Sequence, residues 1–575
     1  MKSLLIVNGY SDEPTCFNVP PYVGKYPRYI AGAALSAKKD AIVKYLTIDD
    51  FREGRAHPKD LDGKFDCIAF IVGMTVPGKY VGGKIATAEE VSSLSRRFEN
   101  AKAKVLCGPA AKFGFGSEGG KTTRVIRDPF DIVSRGDDEA TIYSLFSTGK
   151  ATGLERVSRK DALLQEFAER GASIISQIDT RYLLLEIETY RGCSRFVSGF
   201  CSFCSEVGKG PPDFRPVEGI VREISALAKM GVHAFRLGDQ PDLFAYMGEG
   251  AGKEEYPKPN PGAIEALFSG AREAAGPNLT VLHIDNVNPK TIVLHPEESR
   301  KVASIIAKYN TPGDIAAFGL ESLDPEVIRK NNLKVDSEEA LIAVRIINEA
   351  GGWREGKSLP KLLPGLNFIG GLEGETKESF KINYSFLEKL IEEKLVVRRI
   401  NLRQVMPLPW TRMGKFGDKL VQKHAREFAS FKFKVREKID HEMLSRVAPR
   451  GTEIPRVFSE YREGKITFAR PLGSYPLLIG IPTTNIPLGK CSDVKVVDWG
   501  KRSITGVPSD IDINSAPREL LEYVPGLGKK NLVNLLARRP VGKVSDFISE
   551  KESAKKLSDF LGLESPDSSL KEDCA

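Results

Sequence analysis

Three cysteines, Cys193, Cys201 and Cys204, fall within twelve positions of a 575-residue chain that holds only eight. Eight are too few for a disulfide framework, and thiols this crowded point to a metal. Three thiolates on one loop can each hold one iron of a cubane 4Fe–4S cluster and leave the fourth iron open to an outside chelator, which makes that iron a substrate site. A zinc knot is one alternative, but zinc asks for a fourth protein ligand and no nearby His or second Cys pair offers one. Inert core cysteines are the other. The segment reads Tyr190-Arg191-Gly192-Cys193-Ser194-Arg195-Phe196-Val197-Ser198-Gly199-Phe200-Cys201-Ser202-Phe203-Cys204.

The elements that would position this loop alternate between strand and helix. Apolar runs at Leu183–Ile187, Ala234–Leu237, Thr280–Ile284, Ala316–Leu320, Gly365–Ile369 and Ile400–Val405 read as strands. Ile220–Lys229, Ala263–Ala275, Glu298–Tyr309, Ser337–Ala350 and Lys377–Glu393 read as helices between them. Six repeats predict a partial (β/α)6 barrel, because a full eight-fold barrel takes about 250 residues. The cysteine loop follows the first strand, at the carboxyl edge where such barrels keep their active groups.

The whole chain reads as α/β. Residues 1–147 alternate strand, helix and Gly-rich turn as a Rossmann-like domain, 148–181 connect, and 182–412 form the partial barrel. Residues 413–465 are a basic helical segment with one amphipathic helix over Asp418–Val447, and 466–508 are short Gly- and Pro-broken runs that predict a small β-barrel. Residues 509–564 form a helical hairpin, and 565–575, with Cys574, a disordered tail. Hydrophobic residues make up 41% and charged residues 28%, which excludes a disordered, collagen-like or coiled-coil chain. The net charge of +8 permits an anionic partner without demanding one. After Lys2 only Leu4-Leu5-Ile6-Val7 precede Asn8-Gly9, so neither a signal-peptide core nor a membrane span is expected, and the protein reads as cytoplasmic with no membrane partner.

Near the C-terminus, Val524-Pro525-Gly526-Leu527-Gly528 turns the chain into a helix from Lys529 to Arg538. Two glycines free consecutive backbone N–H groups where the helix presents its positive end, an anion site that suits a nucleic-acid phosphate. Lys529, Lys530, Arg538 and Arg539 are the candidate phosphate contacts, and a tight docking turn is the plain alternative.

From Tyr182 to about Trp410 these motifs resemble the radical S-adenosylmethionine (SAM) superfamily, whose cluster loop follows the first strand of a six-stranded partial barrel. The family usually spaces its ligands C-x3-C-x2-C, and here the first gap is x7. The resemblance implies a 4Fe–4S cluster on Cys193, Cys201 and Cys204, with SAM chelating the open iron and an electron donor such as ferredoxin or flavodoxin. It also implies cofactor contacts from Phe203, from Gly238-Asp239-Gln240 in place of the family's Gly-Gly-Glu segment, from His283 and Asp285, from Glu321 and Ser322, and from Gly370-Gly371. Read singly, Asp239 and Glu321 would pass for helix caps or surface carboxylates, and the glycines for turns.

Residues 1–147 resemble the cobalamin-binding domain that often precedes such barrels, through Val23-Gly24, Asp49, Ile71-Val72-Gly73-Met74-Thr75, Lys104–Pro109 and Asp131–Thr141. His57 is their only histidine, so either cobalamin binds without a His ligand or the domain carries none. A rival resemblance is to methylthiotransferases acting on tRNA, whose first domain holds a second cluster on three cysteines; Cys16, Cys67 and Cys107 are three, but Cys67 opens its strand while the others lie at the opposite edge. The predicted barrel from Phe468 to Val507 resembles the RNA-binding barrel of those enzymes, and Pro525–Gly528 resembles a helix-hairpin-helix motif. Together these imply methyl or methylthio transfer to RNA, tRNA foremost. A radical enzyme for a small molecule or peptide, and a non-catalytic iron–sulfur RNA-binding protein, are the alternatives.

Overall fold

Apolar runs such as Leu4-Leu5-Ile6-Val7, none more than 2% exposed, form strands covered on both faces, as parallel sheets between helices are. The computed structural model describes residues 1–13, 16–73, 83–116, 121 and 123–563, without the side chains at 12, 13, 16 and 17. Met74, Thr75, Cys574, the expected tail and the Cys16 side chain therefore lie outside the described residues. The chain makes two compact units, Met1–Trp353 with Lys361–Phe433, and Arg354–Pro360 with Lys434–Ala575.

In the first unit β1 (Ser3–Asn8), β2 (Ile42–Thr47), β3 (Cys67–Ile71), β4 (Ala103–Cys107) and β5 (Ile132–Val133) form a parallel sheet in the order β2-β1-β3-β4-β5. Its helices are α1 (Lys25–Ala37), α2 (Ala88–Arg96), α3 (Asp138–Thr148) and α4 (Ala162–Gly171). Leu4, Ile6, Ala69 and Val105 face Ile30 of α1, Phe146 of α3 and Phe167 of α4. Leu5, Val7, Phe70 and Leu106 face Val91 and Leu94 of α2 on the other side. The period-two alternation of strand side chains separates these two cores.

The barrel strands β6 (Leu184–Glu188), β7 (Ala234–Gly238), β8 (Val281–Ile284), β9 (Asp314–Glu321), β10 (Leu362–Gly370) and β11 (Arg399–Gln404) run parallel in chain order, with Asn286–Val287 carrying the pairing from β8 to β9. Helices α5 (Val217–Lys229), α6 (Pro261–Ala275), α7 (Pro296–Tyr309), α8 (Ser337–Gly351) and α9 (Lys377–Glu392) connect them. The six expected strands are thus present. The sequence did not announce the two-residue strand Tyr22–Val23, which pairs with Leu184 and Leu185 of β6 and so extends this arc from within residues 1–147. Arg28 of α1 then reaches Glu223 of α5, a pair wholly buried. The two predicted domains share one unit, and the expected boundary near 147 is crossed by strand, helix and ion pair.

In the second unit β12 (Glu453–Glu463), β13 (Ile466–Pro471), β14 (Leu478–Ile481), β15 (Cys491–Trp499) and β16 (Ser503–Pro508) close a barrel in the order β12-β13-β14-β16-β15. Val457, Ala469, Ile479, Val494, Val496 and Ile504 are buried in it. The barrel opens at Glu453, inside the segment expected to be helical, not at 466. The expected helix over Asp418–Val447 is divided into Lys419–Lys423, Ala425–Lys434, a wider π turn at Val435–Ile439, and Asp440–Val447. Beyond the barrel, Arg518–Leu521, α10 (Lys529–Arg538) and α11 (Lys551–Leu561) pack through Leu521, Leu527, Leu535 and Leu557. No helix among the described residues is long and apolar enough to cross a membrane.

Candidate active site

Strand β6 ends at Glu188, and the short antiparallel pair Tyr190–Arg191 with Asp213–Phe214 clamps the stem of the loop that follows. Gly192 has φ +81°, and a Cβ there would lie 2.2 Å from the Pro211 carbonyl oxygen, so glycine is required where the loop leaves its stem. Cys193 N–H donates to the Gly210 carbonyl at 3.0 Å across the base. The long first gap is filled by a 3-10 turn, Ser194–Ser198, after which Gly199 (φ +84°) and Phe200 (φ +60°) reverse the chain toward Cys201.

That turn buries Arg195 beneath the loop. Its Nη1 donates to Cys201 Sγ at 2.9 Å and to the Asn332 carbonyl at 2.7 Å, and its Nε donates to Glu255 at 2.9 Å. Asn332 donates to the Phe200 carbonyl at 2.9 Å, and Ser202 Oγ donates to Asn331 at 2.7 Å, so the chain after β9 holds the loop from its far side. The four residues added to the usual spacing therefore build an anchored turn. Burial pushes the Cys193 thiol up to about 12. It pushes Cys204 well above its ordinary value, with Cys201, Glu206 and Cys193 adding to the effect. Among the described residues no three His, Cys, Asp or Glu are grouped tightly enough to hold a single metal ion, and a cubane spreads its ligands around a larger body.

At the carboxyl edge several buried polar atoms have no hydrogen-bond partner among the described residues: both amide atoms of Gln240, Thr189 Oγ1, Ser194 Oγ, Glu206 Oε2 and Glu321 Oε2. Buried groups are normally satisfied, so this concentration around the ends of β6, β7 and β9 fits a polar, zwitterionic ligand such as SAM. Asp239 (φ +57°) and Glu321 (φ +66°) hold left-handed backbone that non-glycine residues seldom adopt. Both lie where the resemblance expected cofactor contacts.

The sequence did not reveal Lys25. Its ammonium, on the first turn of α1, bonds both Glu188 at the end of β6 and Asp239 at the end of β7. Arg159 adds an ion pair at 2.9 Å to Glu188 and a 2.8 Å hydrogen-bonded pair to Glu139. Burial alone would raise the Glu188 carboxyl, and Arg159 with Lys25 overcomes this and holds it well below the carboxylate range. Burial likewise opposes the Lys25 charge, and Asp239 and Glu188 outweigh it. Lys209, at the far foot of the loop, pairs with Glu206 at 2.8 Å and lies 3.7 Å from Asp239. The expected Asp239 contact is thus already shared with two ammonium groups.

Other expected contacts have different duties. His283, the third of the four residues of β8, is buried with backbone partners at Pro312 and Thr311 and Asp314 at 4.0 Å, and burial pushes its ring down to about 3. Asp285 is committed to Arg236, which also holds Glu186 at 2.7 Å, all three side chains being fully buried. Gly238 is dictated by that group, because a Cβ there would stand 1.7 Å from Glu186 Oε1. Ser322 accepts from Asp324 N–H at 3.3 Å in the turn before the helix Pro325–Asn331. Gly370 and Gly371 are packing glycines, where a Cβ would meet the Phe428 ring at 2.6 Å and Val421 at 2.7 Å. Phe203 packs in an apolar cluster with Leu372, Val405 and Met413.

In the second unit Gly526 (φ +87°) is fixed by the Ser553 carbonyl, 2.4 Å from where a Cβ would sit. Gly528 has nothing within 4 Å and caps α10 beside the exposed Lys529 and Lys530. Pro525 is half-buried and Leu527 is a core residue. Arg538, expected on a phosphate, donates to the Asp546 carbonyl and so braces the hairpin. Arg539 has two guanidinium nitrogens buried without a hydrogen-bond partner among the described residues.

Residues 187–387, from β6 into α9, match the family described as the Radical SAM superfamily. A Methanocaldococcus jannaschii protein, described only as uncharacterized, is 45% identical over 513 residues, covering 87% of this chain and 92% of its own length. An Archaeoglobus fulgidus protein with the same description is 42% identical over 546 residues, covering 94% and 96%. Among solved structures, the cobalamin-dependent SAM radical enzyme OxsB shares 15% identity at TM-score 0.44 over 75% of this chain and 56% of its own. Coproporphyrinogen III oxidase HemN from Escherichia coli shares 18% at TM-score 0.28 over 43% and 52%. With its three-thiol loop opening the matched stretch, the chain belongs to the radical SAM superfamily.

Proposed function

We propose that this radical SAM enzyme modifies RNA, tRNA foremost, and that the group transferred is methyl. The observation that carries the RNA reading is the second unit: a closed five-stranded barrel followed by a helical hairpin whose open Gly528 cap stands beside Lys529 and Lys530. When bound, a 4Fe–4S cluster and one SAM would supply a 5'-deoxyadenosyl radical that takes a hydrogen atom from the substrate and leaves methionine and 5'-deoxyadenosine, while a second SAM would give the methyl group and leave as S-adenosylhomocysteine, with two electrons drawn from the donor in all. Cys193, Cys201 and Cys204 would hold the cluster, and Gln240, Thr189 and Asp239 offer polar atoms to the methionyl end. The buried barrel keeps water from the reacting groups. An electron donor of the ferredoxin or flavodoxin class completes the system.

Methylthio transfer is less well supported. Cys67 pairs with Ala103 at one end of β3, and Cys107 pairs with Ile71 at the other end, so four residues separate them, on the order of 13 Å along the strands. Both are fully buried. For cobalamin, His57 is exposed beside the short helix Pro58–Leu61 and offers no buried axial ligand, and the expected Met74 and Thr75 lie outside the described residues.

RNA from a strain lacking the gene should lack one nucleoside that is ~14 mass units heavier than its precursor, the mark of a methyl group. A difference of ~46 would make the transfer methylthio, and no difference in any RNA would remove the reading. RNA binding by the purified enzyme should weaken with salt, and Lys529→Gln with Lys530→Gln should flatten the log–log slope by about 1.5, at ~0.7–0.9 per phosphate contact. An unchanged slope would take the hairpin out of the interface.

Arg195→Leu should leave iron binding intact and make the cluster potential more negative, because N–H donors to cluster sulfur favour the reduced state. A redox titration followed by electron paramagnetic resonance reads this directly. An unchanged midpoint would reduce Arg195 to a structural anchor.

A further inference from the structure

We infer that the cavity at the stem of the cysteine loop is an oxyanion site that takes the phosphate of a nucleotide. Seven of its lining residues are cationic and Asp137 is its one carboxylate. They come from separate parts of the chain: Lys25 from α1, Lys112 from the short helix Pro109–Phe113, three arginines from the stretch 135–159, and Arg191 and Lys209 from the two feet of the loop. Bringing so many like charges to one cavity of about 200 Å³ is unfavourable unless anions answer them.

The answer is uneven. The inner cations are neutralised: Arg159 by Glu139 and Glu188, Lys25 by Glu188 and Asp239, Arg191 by Asp137 and Asp213, and Lys209 by Glu206. The outer three, Lys112, Arg135 and Arg156, form no ion pair with a described residue. A neutral floor under a charged rim is a shape that accepts a small anion from outside. Guanidinium groups suit phosphate because their forked donors match its oxygens.

One wall specifies what the phosphate is attached to. Phe113 and Trp410 stack there, with ring centroids 5.2 Å apart and planes 24° from parallel, and Trp410 is 38% exposed. An exposed stacked aromatic beside arginines is a platform for a nucleobase whose phosphate lies on the cations. The cavity volume suits a phosphate with part of its sugar, which leaves the base to stack outside. The site adjoins Lys209 and Arg191, so a nucleotide held here stands at the foot of the cluster loop.

This inference deepens the RNA reading and rests on it only for the source of the phosphate, a diester within a strand or the monoester of a free nucleotide. Full-length protein is titrated with inorganic phosphate, AMP and the trinucleotide ApApA by calorimetry, with SAM present throughout. The wild type should bind at least one nucleotide probe, inorganic phosphate should compete, and Lys112→Gln with Arg135→Gln and Arg156→Gln should weaken binding tenfold or more. If that triple variant fails to fold, Arg156→Gln alone, at an exposed position, should weaken binding at least threefold. Binding of ApApA but not AMP assigns the diester. Binding of AMP but not ApApA keeps the site and overturns a strand diester as its ligand, the RNA reading still resting on the mass test. Absence of binding by all three probes, or equal binding by wild type and variants, overturns the site while leaving the hairpin and the RNA mass test untouched.

Discussion

Replacing Cys201 by Ala should abolish reductive cleavage of SAM: after anaerobic reconstitution the variant is expected to form no 5'-deoxyadenosine above the protein-free background. Cys201 sits where the anchored turn brings the chain back toward Cys193, with Arg195 Nη1 2.9 Å from its sulfur. Loss of that thiol leaves two protein ligands for a body that needs three, and it removes the one sulfur to which the buried guanidinium donates. The wild type should carry about four irons per chain and no cobalt, and the variant clearly fewer. Cleavage at the wild-type rate by Cys201→Ala would sink the assignment of the loop. About eight irons in the wild type would mean a second cluster despite the separation of Cys67 from Cys107, and would bring methylthio transfer forward.

The second large effect belongs to stability. Arg236→Leu should destabilise the first unit by about 3–5 kcal/mol, the usual cost of removing one partner from a buried ion group. Arg236, Glu186 and Asp285 are all fully buried, and the guanidinium holds both carboxylates. Burial already pushes the Glu186 carboxyl up against the pull of Arg236, so without the arginine one or both acids must take up a proton. Glu186→Gln should cost much less, because Asp285 still answers the charge. Calorimetric unfolding of the two variants tests this, and the idea fails if Arg236→Leu melts with the wild type or if both variants lose equally.

Most strands of the first unit could be read from the sequence because each is an apolar run closed by a polar or glycine turn, as in Leu4–Val7 and Ala234–Gly238, whereas the order of the amino-terminal sheet and its two-residue edge strand Ile132–Val133 could not. Strand β12 was hidden for a physical reason: its pairing slips between Ile454 and Val457 and again between Ser459 and Tyr461, which breaks the period of two. Charged residues alternate irregularly along it, and the stretch blends with the basic helices before it. At the site the crowding of three cysteines was sufficient to find the loop. For His283 and Asp285 the sequence was ambiguous, because a polar residue near a strand end looks the same whether it faces a ligand or a buried ion group. Lys25 and Arg159 were missed because their partners are far along the chain, Glu188 lying 163 residues beyond Lys25. The one local clue was a pair of cations, Lys25 and Arg28, on the start of an otherwise apolar helix.

That helix bears on the order of synthesis. Arg28 is buried against Glu223, which the ribosome adds 195 residues later, a wait of roughly 10–40 s at ~5–20 residues per second. Until then α1 cannot close over the first sheet without leaving two cations in an apolar setting with nothing to neutralise them. The nascent amino-terminal third should therefore stay open until α5 emerges, and ribosome-arrested chains ending before β6 should remain protease-sensitive where chains extended past α5 do not.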